Sequence, residues 1–262
     1  MAETGRLTAP AAPLFGPVTL VRLAIIAAVL VIWEVVAASG LLFRDVVPSL
    51  TVIAQALVAL LADPTYYWNL GVTAGEIGVA ILIGGLAGLG VGILLGANPL
   101  LARAYEAYLY YLGPTPKIIF FPVMIMWFGV GPGSKIAMGV ISCFFPVALS
   151  AAAGMRGIDK VLIRVGRSFR LSSWQMVTKI YLPAMRLPII NGVRLGLGVA
   201  IIGTLLAETK LSNKGVGFLI INAYSTFNMP RMYALLIVLF VLSIGVNALI
   251  GRFGGVNTTT RR

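Results

Sequence analysis

The sequence predicts an all-α membrane protein that crosses a bilayer about six times, and three observations predict it. Hydrophobic residues fill 59% of the 262 positions and charged ones only 11%, with a mean hydropathy of +0.98. A soluble domain is about a quarter charged, and a single water-soluble core has no room for so much apolar surface. Lipid is the expected solvent. Next, apolar stretches near the ~20 residues that cross a hydrocarbon core recur along the chain. Last, charge gathers in one stretch, 155–188, where Arg156, Lys160, Arg164, Arg167, Arg170, Lys179 and Arg186 face a single carboxylate, Asp159.

In chain order, residues 1–19 mix Ala, Pro, Thr and Gly irregularly and read as a disordered cytosolic tail. Residues 20–69 hold the first span (20–39) and an external loop. Ala37-Ala38-Ser39 would suit a signal-peptide cleavage site, but Trp33 and Glu34 do not suit a signal's apolar region, so an uncleaved anchor is expected. The loop carries an amphipathic segment, 52–61, and an interfacial aromatic belt, Tyr66-Tyr67-Trp68.

Residues 70–252 carry the remaining spans. In the second, 72–96, Gly84, Gly88 and Gly92 stand at i, i+4, a spacing that lets membrane helices approach closely. Tight packing is the plain reading and a moving pore wall the functional one. The third, 100–128, is broken by Gly113-Pro114-Thr115-Pro116, since each proline removes a donor and clashes with the preceding turn. Irregular backbone at membrane depth is tolerated only against protein or a water-filled cavity. Lys117 follows directly, either as a functional group or as a cation that snorkels or pairs internally. The fourth span, 134–155, contains Pro146, and the fifth, 188–208, contains Asn191 and Arg194. Between 208 and 230, Lys214-Gly215-Val216-Gly217 and apolar 218–221 suggest a re-entrant or pore-facing turn. The sixth span covers 232–250, and 253–262 form a cytosolic tail.

Six spans with both ends inside put Arg6, Arg22, Arg103, the central basic stretch, Arg252, Arg261 and Arg262 on the inner face. The outer face keeps Arg44, Lys135, Lys210, Lys214 and Arg231, and this imbalance sets the orientation. It also accounts for the net charge of +12 without nucleic acid.

Within the basic loop, 155–187, Ile158, Leu162, Val165 and Phe169, then Trp174, Val177 and Tyr181, recur at helical spacing. Ser172 and Ser173 supply an N-cap signal between the runs. Two short amphipathic helices joined by a tight turn and ended by Pro183 are expected, serving either to orient the protein or to dock a partner.

Chemistry is excluded more readily than assigned. There is no histidine, and Cys143 lies alone in an apolar run, so imidazole chemistry, disulfides and thiolate metal sites drop out. No phosphate-binding P-loop, nucleophile elbow or zinc motif occurs. Eight carboxylates scattered over the chain suggest no acid–base pair. An enzyme is not expected. Passage or docking is. A stand-alone channel or ion-coupled transporter would call for intramembrane carboxylates, and Glu76 and Glu106 stand near the expected span ends. A scaffold that moves nothing does not account for the broken third helix.

Several motifs carry a resemblance. Ile180, Leu182 and Pro183 fit the close of an E-A-A-x3-G-x9-I-x-L-P loop, while Arg164, Val165, Gly166 and Arg170 stand where Glu, Ala, Ala and Gly are expected. Pro114-Thr115-Pro116-Lys117, Trp127-Phe128-Gly129, Ser134-Lys135-Ile136 and Ala207-Glu208 follow in the same order and spacing. Over 70–250 the chain resembles a permease subunit of bacterial ABC importers, in the binding-protein-dependent branch for nitrate, sulfonate, taurine and bicarbonate.

The resemblance implies a type I importer permease fold in the inner membrane, with both termini cytoplasmic. It implies a second permease copy, two ATPase subunits carrying ATP–Mg, and a periplasmic or lipoprotein substrate-binding protein, with no cofactor or metal in this chain. Gly166, Arg167, Ser168, Phe169, Arg170, Leu171, Ser172, Ser173 and Trp174 would form the coupling helix that sits in an ATPase groove, and Ile180, Leu182 and Pro183 would complete the motif. Phe169 and Leu171 are the expected anchors, with Arg167 and Arg170 pairing an acidic rim. Because Arg170 replaces glycine, an unstrained left-handed turn is lost there, and the turn is expected to shift to the serines. Alternating access would run past Pro114, Pro116, Lys117, Asn191, Arg194 and Glu208, and positive charge in that path would suit a small anion.

Overall fold

The structure, a computed structural model, describes residues 16–40 and 46–253. Most of the two terminal tails expected from sequence, with Arg6, Arg261 and Arg262, and the start of the external loop, with Arg44, lie outside the described residues. Every regular element within them is helical. Five helices are long and apolar enough to span a membrane: α1 (Pro17–Ser39), α3 (Pro64–Ala97), α6 (Pro132–Arg156), α10 (Arg186–Lys210) and α12 (Met229–Phe253). The remaining span, third in the chain, is bent. Helix α4 (Pro99–Leu112) and the segment from a 3-10 turn (Lys117–Phe120) through α5 (Phe121–Phe128) meet at 93°. Shorter helices are α2 (Leu50–Ala62), α7 (Lys160–Ser168), α8 (Ser173–Met176), α9 (Leu182–Ala184) and α11 (Val216–Ser225).

Small residues decide which helices meet. A Cβ at Gly84 would lie 2.6 Å from the Val140 carbonyl of α6, one at Gly88 2.7 Å from that of Phe144, and one at Gly92 2.5 Å from that of Ala148. This is backbone-to-backbone approach along the i, i+4 seam, so close packing is the role of these glycines. From the other side α10 brings Gly192 against Ser150, Gly196 against Cys143 and Gly203 against Ser142. Helix α6 is therefore the axis, clasped by α3 and α10, with Cys143, Val147, Ala148 and Ala151 fully buried along it. Helices α2, α11 and α12 pack round a second cluster built on Leu60, Tyr66, Val216 and Leu235.

Helix α1 stands almost wholly exposed and is fixed near its C-terminal end. Trp33 meets Tyr233 of α12 edge-on at 5.2 Å and donates Nε1–H to the Pro48 carbonyl, and Glu34 Oε2 accepts the Leu50 amide. The two residues that looked out of place in a signal region are the ones that tether this helix.

The boundaries differ from the sequence expectation in places. The second span starts at Pro64, because Asp63 caps it through the Thr65 amide and Pro64 occupies the first turn. Tyr66, Tyr67 and Trp68 thus lie on α3 and not in an external loop, and α3 runs unbroken through position 70. Positions 17–19, expected to be tail, already belong to α1. Pro183 does not end the second loop helix: a π turn (Val177–Tyr181) widens the backbone just before it, and the chain continues through α9 toward α10. Proline cannot donate to the preceding turn, and the π turn covers Lys179, whose carbonyl that missing donor would have met.

Candidate functional site

The basic loop is a helix–turn–helix whose ends are satisfied locally. Asp159 caps α7 by accepting the Val161 amide at 2.8 Å. At the far end Arg170 N–H donates to the Arg167 carbonyl (2.9 Å) and Leu171 N–H to that of Gly166 (3.1 Å). Those two bonds define a Schellman turn, whose left-handed position normally falls to glycine. Arg170 takes it, with φ of 51°. The turn has therefore not moved to the serines. Ser172 instead caps α8, accepting from the Gln175 amide while Gln175 Oε1 accepts from the Ser172 amide. Gly166 is buried inside α7 and lets the second helix lie close, since a Cβ there would lie 2.5 Å from Met176 Sδ.

This scaffold projects aromatic groups and charge. Phe169 is 76% exposed and Trp174 74%, with Arg167, Ser168, Arg170 and Ser173 exposed beside them. Leu171, expected as an anchor, is half-buried, so the free anchors are Phe169 and Trp174. Ile180 and Leu182 are half-buried and Pro183 is exposed.

The path candidates separate. Pro114 and Pro116 are exposed at the bend, and Lys117 Nζ donates to the Gly113 carbonyl and, at 3.4 Å, to that of Thr115. The ammonium also lies 5.3 Å from the Phe145 ring centre. A cation beside the carbonyls at the end of a helix is favourably placed, so Lys117 pairs internally and supports the bend where α4 stops. Asn191 is exposed on α10. Arg194 is half-buried, donates Nε–H to Asn247 Oδ1 at 2.8 Å, and rests its guanidinium on Gly251 of α12. Among the described residues the ion pairs are Arg156–Glu106 and Arg231–Asp63, so Arg194 faces no carboxylate there.

Glu208 is 1% exposed and belongs to a buried seat for α11. Its Oε2 accepts the Gly217 amide (2.6 Å) and its Oε1 the Thr73 hydroxyl (2.6 Å). Thr73 Oγ1 accepts the Val216 amide (2.8 Å), and Asn69 Oδ1 accepts that of Gly215 (2.7 Å). A carboxylate under the unbonded amides of a helix N-terminus is favourably placed. Gly215, at φ of 100°, passes so close to Glu208 that a Cβ would strike its carboxylate.

Sequence reasoning missed the rest of this seat. Glu76, expected near a span end, lies 6% exposed within α3 and meets Glu208. Lys135, counted as an outer-face marker, is 2% exposed, bonds the Val130 and Gly131 carbonyls, and is the cation whose charge both carboxyls feel. The signal was an ionisable residue inside each of three apolar spans. The other carboxylate considered, Glu106, makes a two-pronged pair with Arg156 at 2.8 Å per contact.

A bent third span, glycine seams on both sides of α6 and an exposed amphipathic loop between the fourth and fifth spans define a polytopic component of a membrane transport system. The chain belongs to the family described as the binding-protein-dependent transport system inner membrane component, which matches residues 80–254. It is a permease of that ABC-importer family. It is 30% identical over 216 residues to a putative aliphatic sulfonates transport permease of Bacillus subtilis (82% of this chain, 78% of the relative). It is 29% identical over 246 residues to the taurine transport system permease of Escherichia coli (90% and 89%), and 24% identical over 201 residues to the nitrate import permease of Leptolyngbya laminosa (73% and 72%). Among solved structures, the inward-facing MetNI methionine ABC transporter matches with a TM-score of 0.65 and 20% identity, covering 76% of this chain and 96% of that one. That likeness is one of fold, the type I importer permease fold.

Proposed function

We propose that two copies of this chain form the path of an ATP-driven importer for a small anion of the sulfonate type. A binding protein hands over the anion at the α11 end, and separate ATPase subunits carrying ATP–Mg dock at the 155–187 loop. Both termini then lie on the ATPase side of the cytoplasmic membrane. The observation that carries this reading is the loop: Phe169 and Trp174 stand exposed on a turn whose backbone needs no outside partner, flanked by Arg167 and Arg170. A short helical element with aromatic anchors and rim charge is a helix-in-groove ligand. The names of the sulfonate, taurine and nitrate relatives support an anionic substrate, as does the Arg194 guanidinium, which faces no carboxylate among the described residues.

The test is reconstitution of the chain with its cognate ATPase and candidate binding proteins in nanodiscs. One loaded binding protein should stimulate ATP hydrolysis, and Arg167→Glu with Arg170→Glu should abolish the stimulation. In liposomes Arg194→Ala should lower anion uptake. Normal stimulation in the charge-reversed protein would sink the docking assignment, and normal uptake in Arg194→Ala the anion assignment.

A further inference from the structure

The seat of α11 holds one carboxyl more than it can balance. Glu76 on α3 and Glu208 on α10 meet in a buried place, and Lys135 on α6, bonded to the Val130 and Gly131 carbonyls, is the charged group that faces both. The hydrogen bonds assign the roles. Both Glu208 oxygens accept, one from the Thr73 hydroxyl and one from the Gly217 amide. The Thr73 hydroxyl gives its one proton to Glu208 while its oxygen accepts the Val216 amide. Glu208 is thus the carboxylate, and Lys135 balances it.

That leaves Glu76. Its Oε2 is buried without a donor, and one helical turn before Glu208 on α10 the fully buried Thr204 Oγ1 also lacks a partner. Thr204 faces the space opened by Gly139 of α6, where a Cβ would lie 2.6 Å from its hydroxyl and from the Ala80 methyl. A second ionised carboxylate here would be an unpaired buried charge, which proteins neutralise and do not tolerate bare.

We propose that Glu76 binds one exchangeable proton, donates it to Glu208, and so latches α3 to α10 beneath α11. Without that proton the two carboxylates repel. Thr73, which reaches Glu208 and Val216 at once, then loses one of them, and the N-terminus of α11 is released. On the importer reading this end of the path answers to the proton concentration at the α11 face.

The experiment uses infrared spectroscopy of the full chain in nanodiscs, with hydrogen exchange at residues 215–225 as a second readout. A protonated-carboxyl band should be present at neutral pH and lost in both Glu76→Gln and Glu208→Gln, since either amide leaves a single carboxylate for Lys135. Raising the pH until the band disappears should speed exchange of α11 beyond its intrinsic pH dependence, and Glu76→Gln, which keeps the shape, should show no such step. A band that survives in Glu76→Gln, or is missing from the native chain, overturns the proton site. Exchange indifferent to the band's loss overturns the latch. Neither readout involves an ATPase or a substrate, so a failed importer reading would leave both results standing.

Discussion

Two helix ends in this molecule are satisfied in opposite ways. The N-terminus of α11 is held by Asn69, Thr73 and Glu208, across chain separations of 146, 143 and 9 residues, and all of it is buried. The C-terminus of α7 is closed by the next residues in the chain, Arg170 and Leu171, and Arg170 is exposed. The first arrangement exists only if α3, α10 and α11 are already packed, so it reports on the whole bundle. The second needs no tertiary support, which suits a segment that must present itself to another protein.

The contrast is broken most severely at Glu208. Glu208→Ala leaves the buried Gly217 amide and Thr73 hydroxyl without acceptors. Each buried donor left unpaired costs about 1–3 kcal/mol, together a large share of a typical folding free energy of roughly 5–15 kcal/mol. The purified variant should show a clearly lower thermal unfolding midpoint and poor yield. A native midpoint would mean that α11 is held by its apolar contacts alone.

The same contrast explains what could be read from sequence. The spans were legible because lipid demands apolar length, and the seam of Gly84, Gly88 and Gly92 because close packing demands small residues at i, i+4. The loop helices were legible too, since apolar residues recur at helical spacing on both sides of Ser172, which does cap the second helix. The seat was not. Thr73 and Glu208 lie 135 residues apart, and no local pattern marks two residues on different helices as partners. For Lys117 the sequence leaves two readings open, a path group or a cation paired internally, because no local pattern shows whether its ammonium reaches the Gly113 and Thr115 carbonyls at the break.

A milder change sharpens the local side. Arg170 pays for its left-handed backbone with strain of about 1 kcal/mol relative to glycine. Arg170→Gly should therefore slow hydrogen exchange at Phe169 to Leu171 while leaving the global midpoint unchanged. It also removes a charge, so tighter closure of the turn combined with weaker ATPase stimulation would mean that arginine is kept for its contact with the partner. Unchanged exchange would mean that the turn carries no strain.

The smallest effect is expected at Asp63, where the α2–α3 corner meets α12. Its carboxylate accepts the Thr65 hydroxyl and amide and pairs with Arg231 at 2.9 Å. These contacts, the Thr65 hydroxyl foremost, hold Asp63 below its ordinary value of 3.8. A carboxyl held lower in the folded state contributes stability above its unfolded pKa and loses it as pH falls through the folded value. The corner should therefore loosen only below about pH 4. Trp33, edge-on against Tyr233 two residues from Arg231, is the natural reporter. Its fluorescence should shift on acidification in the native chain and stay flat over the same range in Asp63→Asn. The step should be small beside the loss at Glu208, because this pair is partly exposed and water supplies most of what the partner gives. A large acid transition surviving in Asp63→Asn would place the acid-sensitive contact elsewhere in the bundle.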